Sequence, residues 1–305
     1  MKKTRILALI MMLVLCVGIF AACGAPATPP AADTTTPPAD SGNAAPPAAD
    51  TPAAPPADAD SDWAYVSGNG KMVIGYTDYA PMNYFDDNGE FTGFDTEYAL
   101  AICEKLGVEA EFVEINWDTK ELELEGKTID CIWNGLTITP EREAAMGITA
   151  PYVKNAQVIV VKADSGYAST ADLIGKCLVA EVSSAGEMQI IGSADSEPNA
   201  DLAQCDYVPV TKQTDCLSEV KAGTADAAVL DWTLASTMVG EGTDYADLMM
   251  IPNVELATEE YGIAFRQGSD IVDMVNAATL ELVADGTLPA LAEKYGLALA
   301  PAIAG

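Results

Sequence analysis

The chain has 305 residues, with 46 Asp and Glu against 15 Lys and Arg and no His, so its formal net charge is −31. This excess of negative charge is repelled by phosphate backbones and anionic membrane surfaces, which argues against nucleic-acid binding. The length beyond the N-terminal region suffices for a large core and, at common domain sizes, for two lobes.

Residues 1–22 have the pattern of a secretory signal peptide. Lys2, Lys3 and Arg5 precede an apolar run, and two alanines follow that run directly before Cys23. This arrangement resembles a bacterial lipobox, in which the Cys23 thiol receives a diacylglyceryl group and becomes the mature N-terminus. An uncleaved transmembrane anchor is the competing interpretation, but the apolar run is short for a bilayer span of about 20 residues.

Residues 23–62 are predicted to comprise the lipidated Cys23 and a tether that connects it to a folded domain. From residue 24 the segment is rich in Pro, Ala, Thr and Asp and contains no Lys or Arg. Such a composition buries too little apolar surface to offset the entropy of ordering. Because proline favours extended geometry, the segment could reach on the order of 100 Å.

Strand and helix patterns alternate along the rest of the chain. The first half predicts strands over 71–76, 109–115 and 129–133, a tight turn over 86–89, and helices over 95–106, with Asp95 as N-cap, and 120–124. The second half predicts a helical turn over 171–174, strands over 176–180 and 225–230, and helices from Ser184, with Glu187 at capping-box spacing, and over 215–222. The alternation predicts an α/β fold with a largely parallel sheet.

The two halves share a weak internal repeat. Residues 126–132, GKTIDCI, resemble residues 223–228, GTADAA, and each run leads through an aspartate into an apolar strand. The strands end in polar residues, Asn134 in the first half and Asp231 in the second. Ligands of open α/β sheets bind beyond the carboxyl ends of strands, so we predict a cleft with Arg142 on one wall and Asp231 on the other.

The segment around Arg142 predicts an anion site. A turn is expected over 134–137, and Thr139 and Pro140 are suited to cap and begin a helix. Arg142 then lies in the first helical turn, where the helix dipole disfavours a cation by roughly 0.3–1 kcal/mol. The Arg142 guanidinium and the free backbone amides of this segment are expected to converge on one place and so to form an anion site. The alternative is a surface arginine that pairs with Glu141 or Glu143.

Five cysteines follow Cys16 and Cys23, and none of them indicates metal or redox chemistry, because the sequence has no CxxC motif and no His. Cys103, Cys131 and Cys177 lie in apolar runs and are expected to be buried free thiols. Whether Cys205 pairs with Cys216 is left open. We expect no metal and no cofactor.

The sequence resembles the extracellular solute-binding proteins of family 3, which deliver amino acids to ATP-driven importers. The resemblance covers residues 71–297 and is carried by ordered motifs: YAPMNY, FDDNGEFTGFDTEYALAICEKLGV, WNGLTITPER, PYVKNAQVIVVK, GTADAAVLD, YGIAFRQGSD and ADGTLPALAEKYG. It implies a two-lobed, periplasmic-binding-protein-like ("Venus flytrap") α/β fold, with mixed, mostly parallel sheets and helices on both faces. Lobe I would comprise residues 63–157 and be completed, with a C-terminal tail, by residues 254–305; lobe II would comprise residues 158–253.

The resemblance also implies how a ligand's two charged ends are held. Arg142 would clamp the α-carboxylate, assisted by backbone groups of Gly135 and Thr137 and by the Thr137 hydroxyl, which suits a planar guanidinium. Asp231 would take the α-ammonium; its alternative role is to cap the helix that begins at Trp232.

The remaining site residues come from the same resemblance. Ser184 and Ala185 fall on a turn whose amides meet the carboxylate, although Ser183-Ser184-Ala185 replaces the commoner Gly-Ser-Thr or Gly-Thr-Thr pattern. Aromatic residues at Tyr79 and Trp117 would sandwich the ligand side chain, with core packing as the alternative for each. Glu181 would disfavour acidic ligands. Asn134, the polar residue at the end of its strand, is also predicted to line the ligand site.

The implied function is capture of a polar amino acid outside the cell and its delivery to the membrane permease and ATPase of an ABC importer. The protein would be a monomer, held by its lipid on the outer face of the cytoplasmic membrane. Two alternatives stay open: a sensing domain with a separate membrane signalling partner, and a dehydratase-like enzyme of the same fold. The enzyme is disfavoured because the chain lacks His, the commonest general base.

Overall fold

Nine strands form one mixed sheet within residues 61–304, the part of the chain that the computed structural model describes. The strands, including a small separate hairpin of β2 and β3, are β1 (Lys71–Tyr76), β2 (Tyr84–Phe85), β3 (Phe91–Thr92), β4 (Glu109–Glu114), β5 (Cys131–Thr137), β6 (Met146–Ile148), β7 (Val153–Lys162), β8 (Cys177–Glu181), β9 (Asp206–Val210), β10 (Ala227–Asp231) and β11 (Leu248–Arg266). The helices are α1 (Asp62–Asn69), α2 (Phe94–Leu106), α3 (Lys120–Glu125), α4 (Pro140–Ala145), α5 (Ala185–Ile191), α6 (Gln213–Ala222), α7 (Trp232–Met238), α8 (Ile271–Ala284), α9 (Thr287–Tyr295) and α10 (Pro301–Ala304).

The sheet is parallel at both flanks and antiparallel in the middle. Its order is β4-β1-β5-β11-β7-β10-β8-β9, and β6 adds to β11. The pairs β4-β1, β1-β5, β10-β8 and β8-β9 are parallel, whereas β7 and β11 run antiparallel to their neighbours. The expected mixed α/β fold is therefore confirmed.

The central strands β7 and β11 connect the two flanks. Strand β11 is 19 residues long and pairs with β7, β5 and β6, with register shifts between Met250 and Ala257. The expected lobe boundaries, after residues 157 and 253, both fall inside these strands and not in loops. The division into lobes at those residues stays a prediction.

Two local predictions were wrong because tertiary pairing overrides local signals. The expected turn over 134–137 is the end of β5, where Thr137 pairs with Tyr261 of β11. Helix α2 begins at Phe94 after Gly93, and no side chain caps it, so Asp95 is not the N-cap. Helix α1 begins at Asp62, the last residue of the predicted tether, with Ser61 as its cap.

The internal repeat has the same structural role in both halves. Asp130 Oδ2 accepts a hydrogen bond from the Val73 amide at 2.9 Å, and Asp226 Oδ2 accepts one from the Cys177 amide at 3.0 Å. Each aspartate therefore joins the start of one strand to the neighbouring parallel strand. This confirms the repeat as a shared way of registering strands in the two flanks.

All five cysteines in the described part of the chain are free, so Cys205 and Cys216 do not pair. Cys103 and Cys131 are buried as expected, and burial raises the pKa of the Cys103 thiol to about 12. Cys177 is only half-buried, which differs from the prediction.

Within residues 61–304, no helix is long and apolar enough to cross a membrane. The predicted signal peptide, Cys23 and most of the tether lie outside those residues.

Asp130 and Asp226 occupy equivalent positions in the two flanks of the sheet, so their substitutions can be compared directly. Besides the Val73 amide, Asp130 binds the Arg266 guanidinium at 3.1 Å, and both side chains are largely buried. We expect Asp130→Asn to lower the free energy of unfolding by about 3 kcal/mol, because it weakens a buried ion pair. Asp226→Asn should cost about 1 kcal/mol, because its carboxylate accepts only from neutral donors. Urea unfolding at pH 7 measures both, and equal losses would contradict the prediction.

Candidate functional site

A polar cavity lies beside the ends of β5, β8 and β10. Its lining contains every residue that sequence analysis assigned to ligand binding, together with three others: Thr77, Asp78, Tyr79, Trp117, Asn134, Gly135, Thr137, Arg142, Glu181, Ser184, Ala185, Gln213 and Asp231. The structure thus brings the predicted residues together around one space, while their individual roles toward a ligand stay predictions.

Arg142 is a buried cation held by backbone oxygens. Helix α4 begins as expected, with Thr139 accepting from the Arg142 amide at 3.2 Å and Pro140 in its first turn. The guanidinium donates to the Thr137 carbonyl at 2.8 Å and to the Ser183 carbonyl at 3.0 Å. No ion pair of Arg142 occurs within residues 61–304, so the alternative of pairing with Glu141 or Glu143 was wrong. Burial lowers the pKa of Arg142 from its ordinary value.

Asp231, at the end of β10, is a buried anion held by neutral donors. Its Oδ1 accepts from Asn155 at 2.8 Å and from Gln157, and its Oδ2 accepts from the Tyr79 hydroxyl at 3.0 Å and from Gln213. Its side chain caps no amide of α7, so the capping alternative was wrong. The carboxylate points instead to the cavity that Arg142 also lines.

Glu259 of β11 was not predicted from the sequence. Its carboxylate binds residues that hold Asp231 and that line the cavity. Its Oε1 accepts from the Thr137 hydroxyl at 2.9 Å, from Asn155 at 2.6 Å and from Gln157 at 2.8 Å. Burial and the nearby Asp231 raise the pKa of Glu259 to about 7. The Thr137 hydrogen expected to assist a ligand carboxylate is therefore directed at Glu259 in this structure.

A sequence signal for Asn155 and Gln157 did exist. The two amides alternate within the apolar run of β7, so a two-residue period places them on one face of the strand. Both are buried, and both donate to Asp231 and Glu259. Gln213, at the start of α6, and Glu259 carry no comparable pattern.

Gly135 and Asn134 shape the wall beside Tyr79. Gly135 has a φ of +59°, and a Cβ there would lie 2.7 Å from the Tyr79 ring. Its amide donates to Asp95 at 2.8 Å, so this amide is not available to a ligand. The Asn134 side chain accepts from the Thr77 amide at 3.1 Å and donates to the Thr77 hydroxyl at 2.7 Å, which fixes the chain beyond β1.

The turn before α5 has a capping arrangement displaced by one residue from the predicted box. Ser184 accepts from the Glu187 amide at 3.1 Å as expected, but the Glu187 carboxylate accepts from the Ser183 amide at 2.8 Å. Ser183 has a φ of +58°, a conformation that favours glycine. Ser184 and Ala185 are buried and line the cavity.

The two predicted aromatic walls are at once core residues and cavity residues. Tyr79 is buried, and its hydroxyl lies 2.6 Å from that of Tyr261. Trp117 is also buried, and the Lys120 ammonium lies 4.9 Å from the centre of its ring. Trp133 is fully buried against Tyr98 and belongs to the core.

Glu181 ends β8 as a buried carboxylate on the cavity wall. Burial and the Asp231 charge raise the pKa of Glu181 to about 8, although Lys120 and Arg142 act in the opposite direction. No cluster of metal-ligating side chains occurs among the described residues.

The sequence of the chain matches a family of known proteins. The sequence profile described as bacterial extracellular solute-binding proteins, family 3, matches residues 72–298. The chain is similar to the L-cystine-binding protein TcyJ of Escherichia coli (strain K12), with 30% identity over 234 residues that cover 75% of this chain and 84% of TcyJ. It is also similar to the arginine-binding extracellular protein ArtP of Bacillus subtilis (strain 168), with 29% identity covering 75% of this chain and 87% of ArtP.

Solved structures show the same fold. The crystal structure of the P235GK mutant of ArgBP from T. maritima superposes with a TM-score of 0.69 and 31% sequence identity. The match covers 77% of this chain and 99% of that one. The two-lobed fold expected from the sequence is therefore confirmed.

The buried Asp95 beneath Gly135 makes stability depend on pH. Its Oδ2 accepts from the Gly135 amide and from the Tyr152 hydroxyl at 2.9 Å, and burial raises its pKa from 3.8 to about 7. The raised pKa means that Asp95 contributes most stability below pH 4 and that this contribution is lost as pH rises through 7. The loss is on the order of 4 kcal/mol.

Asp95→Asn cannot titrate, so its free energy of unfolding should fall less than that of the wild type between pH 4 and pH 7. Urea unfolding at several pH values in this interval measures the difference. Parallel pH profiles for the two proteins would show that Asp95 is ionised throughout and that the prediction is wrong.

Proposed function

We propose that this protein, which belongs to the bacterial extracellular solute-binding proteins of family 3, captures a free polar amino acid in the cavity between its two lobes. One observation carries the proposal. Arg142 and Asp231 are buried charges of opposite sign that line the same cavity, and neither has an ion-pair partner within residues 61–304.

A zwitterion matches these two charges. A buried charge without a counterion is costly, and hydrogen bonds from neutral groups compensate only part of that cost. The Arg142 guanidinium uses two hydrogen bonds to hold backbone carbonyls and keeps further N–H groups for a carboxylate. At Asp231, the ligand ammonium would displace one of the neutral amide donors. Gln213 is the donor in position to be displaced, because it lines the cavity and donates to Asp231.

The rest of the lining favours a ligand side chain that is cationic or donates hydrogen bonds. Two further carboxylates, Asp78 and Glu181, line the cavity in addition to Asp231. Burial raises the pKa of both, and a nearby positive or donor group would relieve that cost. An acidic side chain would add like charge. The names of TcyJ and ArtP, which bind cystine and arginine, are consistent with a polar ligand.

We further propose that the protein works as a monomer with the permease and ATPase of an ABC importer. The lipid on Cys23 would hold it on the outer face of the cytoplasmic membrane, and residues 24–61 would let the folded part reach the permease. Family membership and the N-terminal sequence support this arrangement. Binding without catalysis is favoured, because the relatives are solute-binding proteins and the charged groups of the cavity suit a static zwitterion.

Removal of the guanidinium tests the proposal directly. We expect Arg142→Met to weaken binding of the tightest amino acid by about 100-fold or more, because a bidentate charge-assisted contact is lost. Arg142→Lys should retain part of the affinity, since it keeps the charge and loses the fork. Calorimetric titration with the twenty amino acids and L-cystine provides the measurement.

Lys154→Met is the matched control for this titration, because Lys154 is exposed and lies outside the cavity. A wild-type protein that binds none of these compounds would overturn the proposed function. Unchanged affinity in Arg142→Met would show that the carboxylate is held elsewhere.

Glu181 predicts a pH dependence that is specific to cationic ligands. A cationic side chain favours the ionised carboxylate, so below pH 8 its binding must displace a proton from Glu181. Affinity for L-arginine should therefore rise with pH up to about 8, by about tenfold per unit of pKa shift that binding causes. Glu181→Gln should remove this rise and weaken L-arginine more than L-glutamine. An unaltered pH profile in Glu181→Gln would contradict the assignment.

A further inference from the structure

Lys120 is a buried cation that the proposed binding scheme does not use. It lies at the start of α3, is 2% exposed, and has no carboxylate within ion-pair distance among residues 61–304. Its ammonium donates to the Trp117 carbonyl at 3.1 Å and lies over the Trp117 ring. Lysine is almost never fully buried without a partner, so this position calls for a specific role.

The other contact of Lys120 joins two segments of the chain that are predicted to belong to different lobes. Its ammonium lies 3.4 Å from the carbonyl oxygen of Ser183, to which Arg142 also donates. Lys120 and Arg142 belong to residues 61–157, whereas Ser183 belongs to residues 158–253. Two cations of the first segment therefore converge on one backbone oxygen of the second.

The backbone of Ser183 holds that oxygen toward the cations at a cost. Its left-handed φ of +58° is strained for a non-glycine residue by about 1 kcal/mol or more. The Ser183 hydroxyl donates across the cleft to Asp118 at 2.7 Å, and its amide donates to Glu187 of its own segment at 2.8 Å. All three polar groups of Ser183 are thus engaged, and two of them bind the first segment.

We propose that the Lys120 ammonium and the Ser183 carbonyl form a latch that holds the two segments closed on a bound amino acid and so sets its rate of release. The proposal rests on the proposed function. In this role Lys120 is a positioning residue: it acts on the backbone of the opposite segment, while Arg142 serves both that segment and the ligand carboxylate. An interaction made only in the closed form slows opening without changing the encounter with ligand.

The latch has a pH signature. Burial lowers the pKa of Lys120 to about 8, with Arg142 acting in the same direction and Glu121, Glu181 and Asp118 acting in the opposite one. Below pH 8 the charged ammonium holds the Ser183 carbonyl, and above it the neutral amine is a weaker donor. As pH rises from 7 to 9.5, ligand release from the wild type should therefore accelerate relative to release from a variant that lacks the Lys120 ammonium.

The test measures release of L-arginine, or of L-cystine where arginine does not bind, by stopped-flow chase. Lys120→Met keeps an unbranched side chain that reaches the position of Cε and removes the ammonium with its charge and donors. We expect its release rate to rise about tenfold with little change in the association rate. Lys120→Arg should restore slow release, and Lys154→Met serves as the matched control with wild-type rates.

The difference between the pH profiles of wild type and Lys120→Met isolates Lys120 from Glu181, which titrates in both proteins. Loss of the acceleration above pH 8 in Lys120→Met supports the latch. Equal release rates, or identical pH profiles, overturn the latch and leave the proposed function standing. A wild type that binds no amino acid overturns both. Should Lys120→Met fail to fold, the release rate is measured in Glu181→Gln, and a rate that is constant from pH 7 to 9.5 in that variant overturns the latch by itself.

Discussion

The site depends on two buried charges of opposite sign, Arg142 and Asp231, that neutral groups hold in place. Arg142 is directed by two backbone carbonyls, and Asp231 by the amides of Asn155, Gln157 and Gln213 and by a tyrosine hydroxyl. Had these two charges paired with each other or with counterions, no charge would remain to attract a zwitterion. The surrounding strands and helix ends are therefore needed to keep each charge rigid, buried and separate.

The part of the site that the sequence could predict is the part governed by local rules. Thr139 and Pro140 are capping residues, so the start of α4 and the place of Arg142 follow from a short stretch. Asp231 follows from an apolar strand that ends in a polar residue. Glu259 could not be found in this way, because it lies 104 residues from Asn155, and only the pairing of β11 with β7 brings them together.

The errors have the same physical origin. Residues 134–137 have turn-forming composition, yet pairing with β11 draws them into β5. Asp95 is a good capping residue by type, but its carboxylate accepts from Gly135 and Tyr152, which belong to distant segments. In both cases a contact between remote parts of the chain outweighs a local preference of about 1 kcal/mol.

Burial also brings the pKa values of ionisable groups in and near the cavity toward neutral pH. Desolvation raises the pKa of Glu181 to about 8 and of Glu259 to about 7, and lowers that of Lys120 to about 8. In water these groups would titrate far apart, near 4 for the acids and 10 for the amine. Because these pKa values lie in one pH interval, entry of a charged ligand in the proposed function would change the protonation of these groups. Burial of these ionisable groups would therefore couple the proposed ligand binding to protonation.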